Sequence, residues 1–253
     1  MIQPEGEVAS CRSCHGKGVT SPFEGPRVCT RCHGTGKIKL TIKDLFPQDH
    51  ACFLYDDPKY QLDTAVTYIV EGLKQRECCF YIADEFGVDE IKEALAKNGV
   101  NVKKQIKNRA LNILTKNETY LVNGHFDPSE MLYFVKDAVK AATRAGFMAF
   151  RGAGEMTWAL GNEKGCDQLI PYEFLLDEYF ANVRPDITAL CQYNIKRFPA
   201  STIQSVLHTH KVVILADGKA VSNPYHQDNF HLKDDSVQLD SMIARLRNEL
   251  LSN

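Results

Sequence analysis

No stretch of this 253-residue chain runs apolar for the roughly 18–20 residues that a membrane span needs. Its first residues, Met1 to Glu7, have neither a basic start nor an apolar core, so nothing there reads as a secretory leader. Charge of one sign is also scarce. The 30 Lys and Arg face 32 Asp and Glu, a net of −2, which argues against a nucleic-acid surface over the whole molecule. Phosphate-binding loops are absent: there is no G-x-x-x-x-G-K-[ST] and no G-x-G-x-x-G. These absences predict a cytoplasmic protein with no membrane contact and no ATP as cofactor.

Cysteine, by contrast, is plentiful, with nine residues. In an untargeted chain this favours metal ligation in a reducing compartment over disulfides. Cys11-Arg12-Ser13-Cys14-His15-Gly16-Lys17-Gly18 and Cys29-Thr30-Arg31-Cys32-His33-Gly34-Thr35-Gly36 are two copies of C-x-x-C-x-G-x-G, with fourteen residues between the pairs. Two C-x-x-C turns bring four thiolates to one metal, so Cys11, Cys14, Cys29 and Cys32 are the expected ligands of one Zn2+. A closed four-thiolate shell leaves no position for water, so the zinc is structural. Glycines let the chain bend around the metal. Residues 1–40 carry six Lys/Arg against three Asp/Glu, a net of +3, leaving −5 on the rest. The module is therefore no strongly basic finger. It remains a candidate contact for a protein or nucleic-acid partner.

Beyond residue 46 the pattern is one of strands alternating with helices. Lys37–Lys43 alternates as a half-exposed strand. Ala51–Tyr55, Cys78–Ala83, Ala110–Thr115, Phe147–Arg151, Ile187–Asn194 and His210–Ala216 read as six apolar strands. Helices are predicted from Asp57-Pro58, over Val88–Lys97 and after Asp127-Pro128-Ser129-Glu130, which has the layout of a capping box. Further helices are predicted near Gly154–Leu160, Pro171–Val183 and Ser201–Leu207. Continuous apolar strands between helices predict a mostly parallel sheet covered on both faces. Ligands then belong beyond the carboxyl ends of the strands.

Several residues are candidates for that site. Arg151 is expected to fix a polar ligand group, with Glu155 orienting it; a structural ion pair between them is the plainer reading. Trp158, Tyr172, Phe174 and Tyr193 are candidate apolar walls, though each suits a plain core equally. Glu173 and Glu155 are conceivable acid–base groups. His208 and His210 form H-x-H, and on a strand both rings would share one face; satisfied structural histidines are the simpler reading. Cys191 lies within range of either histidine. The tail from Asp234 places Leu239, Ile243, Leu246 and Leu250 on a short heptad seam. So short a seam favours docking on its own domain over pairing two chains as a homodimer.

The cysteine repeats resemble the zinc-binding region of the DnaJ chaperone family, which carries four repeats and two zincs. Two repeats suffice for one, and the resemblance covers residues 11–36 with no J-domain beside it. A second resemblance spans about 46–228. It rests on His50-Ala51-Cys52-Phe53-Leu54-Tyr55, Glu71-Gly72-Leu73, Cys79 to Glu85, Phe150 to Trp158, Tyr172-Glu173, Leu190-Cys191-Gln192-Tyr193 and Leu207-His208-Thr209-His210. Together these are similar to the MEDS domain, a sensory domain of methanogens and methylotrophs. The resemblance implies a RecA/KaiC-like α/β core without a phosphate-binding loop. It also implies signal transduction and a ligand among small hydrocarbon derivatives such as methylated or halogenated C1 compounds.

The expected architecture is thus an α/β protein with a mostly parallel, RecA/KaiC-like sheet. A zinc module occupies 1–42, a sensory domain 46–228 and a C-terminal helix 234–253. The ligand set is Arg151, Glu155, Trp158, Glu173, Tyr193, His208 and His210. Two alternatives stand beside it. One is a thiol- or metal-dependent enzyme using Cys191, Glu155 and His208/His210. The other is a redox or chaperone-like protein acting through the cysteine pairs.

Overall fold

A computed structural model describes residues 8–10, 17–20, 27–29, 33–182, 186–227 and 239–249. Cys11, Cys14 and Cys32 of the cysteine motif lie outside these, as does the tail before Leu239. Four short strands come first: β1 (Val8–Ser10), β2 (Val19–Thr20), β3 (Arg27–Val28) and β4 (Lys37–Lys39). β1 pairs with β4, and β2 with β3, both antiparallel. Gly18, Gly34 and Gly36 all take positive φ. A Cβ on Gly18 would lie 2.1 Å from the Gly34 carbonyl oxygen. The glycines of the two repeats therefore touch at a spacing no side chain permits.

The strand predicted to reach Lys43 stops at Lys39. A 3-10 turn, Ile42–Asp44, follows under a Thr41 cap. Leu40, Ile42 and Leu45 are buried in the core of the larger lobe, and burying all three needs a turn, since a strand would face alternate residues outward.

The lobe is built on a seven-stranded sheet. Its strands are β5 (His50–Tyr55), β6 (Cys78–Ala83), β7 (Leu111–Thr115), β8 (Ala149–Glu155), β9 (Asp186–Asn194), β10 (Val212–Leu215) and β11 (Ala220–Ser222), in the order β11-β10-β5-β9-β8-β6-β7. Every pairing is parallel except β10 with β11, which turns back at Asp217-Gly218. Helices α1 (Pro58–Lys74), α2 (Val88–Lys97) and α3 (Val102–Lys107) come in the first half. α4 (Pro128–Arg144), α5 (Leu169–Asn182) and α6 (Ala200–Thr209) follow, and α7 (Leu239–Glu249) comes last. The sheet carries one core against α1 and α2 and another against α4, α5 and α6.

Asp57 caps α1 through the Lys59 N–H, with Pro58 in the first turn. Asp127 caps α4 by accepting from the Ser129 and Glu130 N–H groups. Such a cap contributes about 1 kcal/mol. α3 has no counterpart in the predicted elements; none of its six residues is fully buried and Val102 alone packs partly against the core, so it carries no periodic apolar signal.

β8 runs four residues past its predicted end. Gly152 and Gly154 are strand residues, not a loop, because the sheet needs the room: a Cβ on Gly154 would lie 2.3 Å from the Tyr120 hydroxyl. The predicted helix at Gly154–Leu160 is correspondingly a 3-10 turn, Thr157–Leu160. α7 buries Met242 and Leu246 in the core beside α6, so the described part of this helix docks on its own domain.

Candidate functional site

The amino ends of β5 and β10 and the middle of β9 converge on one polar cluster beneath α5. His50 opens β5, Cys191 lies on β9, and α5 supplies Glu173 and, one turn on, Asp177. His210 caps the end of α6. His50, Glu173 and His210 have no exposure, and Cys191 has 5%. Glu173 Oε2 lies 3.1 Å from His50 Nε2, 3.5 Å from His210 Nε2 and 3.6 Å from Cys191 Sγ. Cys191 Sγ is 3.5 Å from His50 Nε2. One ligating atom from each of the four lies within 4.8 Å of every other.

A second layer holds these groups in place. The Tyr193 hydroxyl donates to Glu173 Oε1. His50 Nδ1 faces Asp177 Oδ1 at 3.7 Å, and Asp177 also meets His226 at 3.1 Å. His210 Nδ1 lies 2.8 Å from the Val206 carbonyl. The rings of His50 and His210 are stacked at a tilt, 4.0 Å apart.

Burial and charge pull these groups apart in acidity. Burial alone would lower the pKa of His50, but Asp177 and Glu173 more than reverse that and raise it to about 9. His210 moves the other way, to about 3, through burial and the charge on His50. Burial opposes ionisation of Glu173, yet the two histidines and Tyr193 hold its pKa below the usual carboxylate value. Burial and the nearby Glu173 carboxylate push the Cys191 thiol well up. Without a metal the cluster thus favours an ionised Glu173 beside a protonated His50, with His210 and the thiol neutral.

Cys191 also walls an apolar cavity of about 50 Å3 between the sheet and helices α4 and α5. Phe80, Ile82, Phe134, Val135, Ala138, Phe150, Leu176 and Phe180 line it, with Gly152 in its floor. None of the lining residues is charged.

The seven ligand residues named from the sequence separate into groups. Glu173, Tyr193 and His210 meet in the cluster. His208 does not: it lies on α6, where a spacing of two turns side chains apart, and its Nδ1 meets the Tyr225 carbonyl at 3.0 Å. The H-x-H pair is therefore no joint ligand.

Arg151 and Glu155 project to the opposite sheet face and are not paired with each other. The Arg151 guanidinium holds Glu77 through Nε and through NH2 at 3.2 Å, and lies 4.5 Å over the Tyr68 ring. Glu155 accepts from the Asp84, Glu85 and Phe86 N–H groups and from the Tyr81 hydroxyl. Trp158 is buried in a packed aromatic group with Tyr120, Phe126 and Tyr172. The enzyme constellation of Cys191, Glu155 and His208/His210 is thus not assembled, since Glu155 and His208 both lie away from Cys191.

The carboxyl edge of the sheet is held by its own ion pairs. Asp84 binds Lys116 at 2.6 Å and Thr157 at 2.7 Å, and Glu85 binds Arg197. A cavity of about 300 Å3 remains there beside α7, with Asp56, Asp217, Lys219 and Arg247 in its wall. His50 and His210 therefore lie at the other end of the strands from the expected site, with Cys191 midway along β9.

Asp177 and His226 were not singled out in the sequence. Asp177 had a signal, its i+4 spacing from Glu173 on one helix face. His226 had none, because a loop brings it in. Of the cysteine pairs, Cys29 is described and is buried.

Among the described residues, no helix is long and apolar enough to cross a membrane. The transcriptional repressor DcmR of Methylorubrum extorquens (strain DSM 6343 / CIP 106787 / DM4) is 28% identical over 195 residues, covering 76% of this chain and 69% of that protein. In structure, the chain is similar to an uncharacterized Pyrococcus horikoshii protein, PH0321, solved in complex with an unknown peptide. Their TM-score is 0.54 at 14% identity, over 68% of this chain and 78% of that one; this likeness shows the fold alone. The KaiC-like protein PH0186 from Pyrococcus horikoshii OT3 superposes with a TM-score of 0.48 at 14% identity, over 67% of this chain and 71% of that one. Residues 49–211 match the family described as MEthanogen/methylotroph, DcmR Sensory domain. That match spans well over half of the sequence, and the chain belongs to the MEDS family of sensory domains.

Proposed function

We propose that the chain is a sensory regulator whose ligand has only a few heavy atoms and enters the apolar cavity between the sheet and helices α4 and α5. The size and lining of that cavity carry the reading. Nucleotides and drug-sized ligands need roughly 300–1,000 Å3. A water-sized probe takes roughly 10–15 Å3, so about 50 Å3 suits a methane derivative and little more. With no charged group in its lining, the cavity selects by apolar burial, which favours halogenated C1 compounds. Burying on the order of 100 Å2 of ligand surface stabilises by about 2.5 kcal/mol. The affinity is then millimolar or weaker, which suits a sensor of an abundant solvent-like molecule.

On the same reading, Cys11, Cys14, Cys29 and Cys32 hold one structural zinc. The motif spacing and the contact of Gly18 with Gly34 support it. The small module, net +3 over residues 1–40, is the output surface for a protein or nucleic-acid partner. The relative named as a transcriptional repressor supports transcription as the regulated step. The protein works in the cytoplasm, without ATP, and the described part of the tail helix serves its own domain.

Calorimetry of the full chain with halogenated methanes and methanol at millimolar concentration tests the ligand. Saturable binding with a negative heat-capacity change is expected. Folded protein that binds nothing across the panel would overturn the proposal.

A further inference from the structure

The geometry points to a divalent metal site, best suited to Zn2+, formed by His50 Nε2, His210 Nε2, Cys191 Sγ and Glu173 Oε2. This goes beyond the sensing reading and does not depend on it. It also differs from the cysteine-pair zinc, with which it shares no residue.

The spacing is the first argument. Tetrahedral Zn2+ with bonds of roughly 2.0–2.3 Å sets its ligand atoms roughly 3.3–3.8 Å apart. Four of the six pairs measure 3.1, 3.5, 3.5 and 3.6 Å, and all six lie within 4.8 Å. Two imidazoles, one thiolate and one carboxylate are a borderline-soft donor set that suits zinc over calcium or magnesium.

The second argument is an unpartnered group aimed at the centre. His210 Nδ1 lies 2.8 Å from the Val206 carbonyl, which can only accept, and 2.8 Å from the Thr209 hydroxyl, which gives its proton to that same carbonyl, so Nδ1 carries the hydrogen. The Nε2 lone pair then points into the cluster, fully buried and with no hydrogen-bond partner, toward a carboxylate oxygen at 3.5 Å. The His50 side chain at 3.1 Å answers that carboxylate oxygen but leaves the His210 lone pair with nothing; a metal that displaces the His50 proton would satisfy all three groups. Zn2+ with one thiolate, one carboxylate and two neutral imidazoles is formally neutral, which suits a buried site.

The third argument is the surrounding layer. Metal-bound histidines place their other nitrogen against a carboxylate or a backbone carbonyl. His210 does so with Val206 at 2.8 Å, His50 Nδ1 faces Asp177 at 3.7 Å, a gap that a small shift would close, and Tyr193 orients the carboxylate. Cys191 then joins the metal to the wall of the apolar cavity.

The test is metal content of the full chain purified from zinc-supplied cells, measured on folded protein. A Cys11→Ser/Cys14→Ser variant, which breaks the amino-terminal pairs, is expected to retain one zinc per chain. Adding His210→Ala to it should remove that zinc. Loading the pair-broken protein with Co2+ should give a single-thiolate charge-transfer band that Cys191→Ser abolishes. Less than a tenth of an equivalent of zinc in the folded pair-broken protein would overturn the site, and this readout needs no core substitution. So would zinc that survives His210→Ala and Cys191→Ser together. The zinc count of the unaltered chain reports on the cysteine pairs separately.

Discussion

The two faces of the central sheet both bury charge, but they handle it in opposite ways. On the α1 face each charge has a closed set of partners. Arg151 is sealed between Glu77 and the Tyr68 ring, and Glu155 is surrounded by four donors. On the α5 face, His50, His210, Glu173 and Cys191 aim ligating atoms at one point, and His210 Nε2 has no partner there. A buried charge that is fully answered serves the fold. A convergent set in which His210 Nε2 is left without a partner marks a place for something else.

Breaking the closed face should give the largest effect. Arg151→Met leaves the Glu77 carboxylate, 13% exposed, without its partner. A loss of about 3–5 kcal/mol is expected from urea unfolding. Next comes Gly72→Ala. The new Cβ would lie 2.5 Å from Arg151 Cδ and 2.8 Å from Cys79 Sγ, and such crowding typically costs about 1–3 kcal/mol. It should outweigh the roughly 1 kcal/mol that alanine gains in a helix. A stabilised Gly72→Ala would show that the guanidinium is not locked.

A pH scan sharpens the same comparison. Burial lifts the Glu155 pKa from 4.5 to about 7, against the pull of its donors. Between those values the folded chain keeps a proton that the unfolded chain has released. Its contribution to stability therefore falls as pH rises from about 4.5 to about 7. Melting temperature should decline across that window, and Glu155→Gln should flatten the slope. The smallest effect belongs to the open face. The Cβ of Gly152→Ala would meet only Phe150 Cε1, at 3.6 Å, so stability should stay within about 1 kcal/mol of the parent.

The alternation of strands and helices was legible because parallel strands are continuous apolar runs. Cys78–Ala83 and Val88–Lys97 fall on the predicted residues. The extension of β8 was hidden because Gly152 and Gly154 look like a loop until Tyr120 is packed against Gly154. The site was legible in part. Glu173, Tyr193 and His210 could be named from local strings, and His50 and Cys191 stood in the strings that resemble the family. The separate partners of Arg151 and Glu155 were not legible, because residues 151 and 155 share a face and which face meets α1 depends on long-range pairing. Their partners Glu77 and Tyr81 are more than seventy residues away, and no spacing rule reaches that far.

The central claim is that binding belongs to the α5 face. Its most direct test is titration of a halogenated methane into two variants beside the parent chain. Gly152→Ala, which fills the cavity floor, should weaken binding at least tenfold while the protein stays as stable as before. Glu155→Gln, on the other face, should bind like the parent. Loss of binding in Glu155→Gln with retention in Gly152→Ala would contradict the account and return the ligand to the carboxyl edge of the sheet.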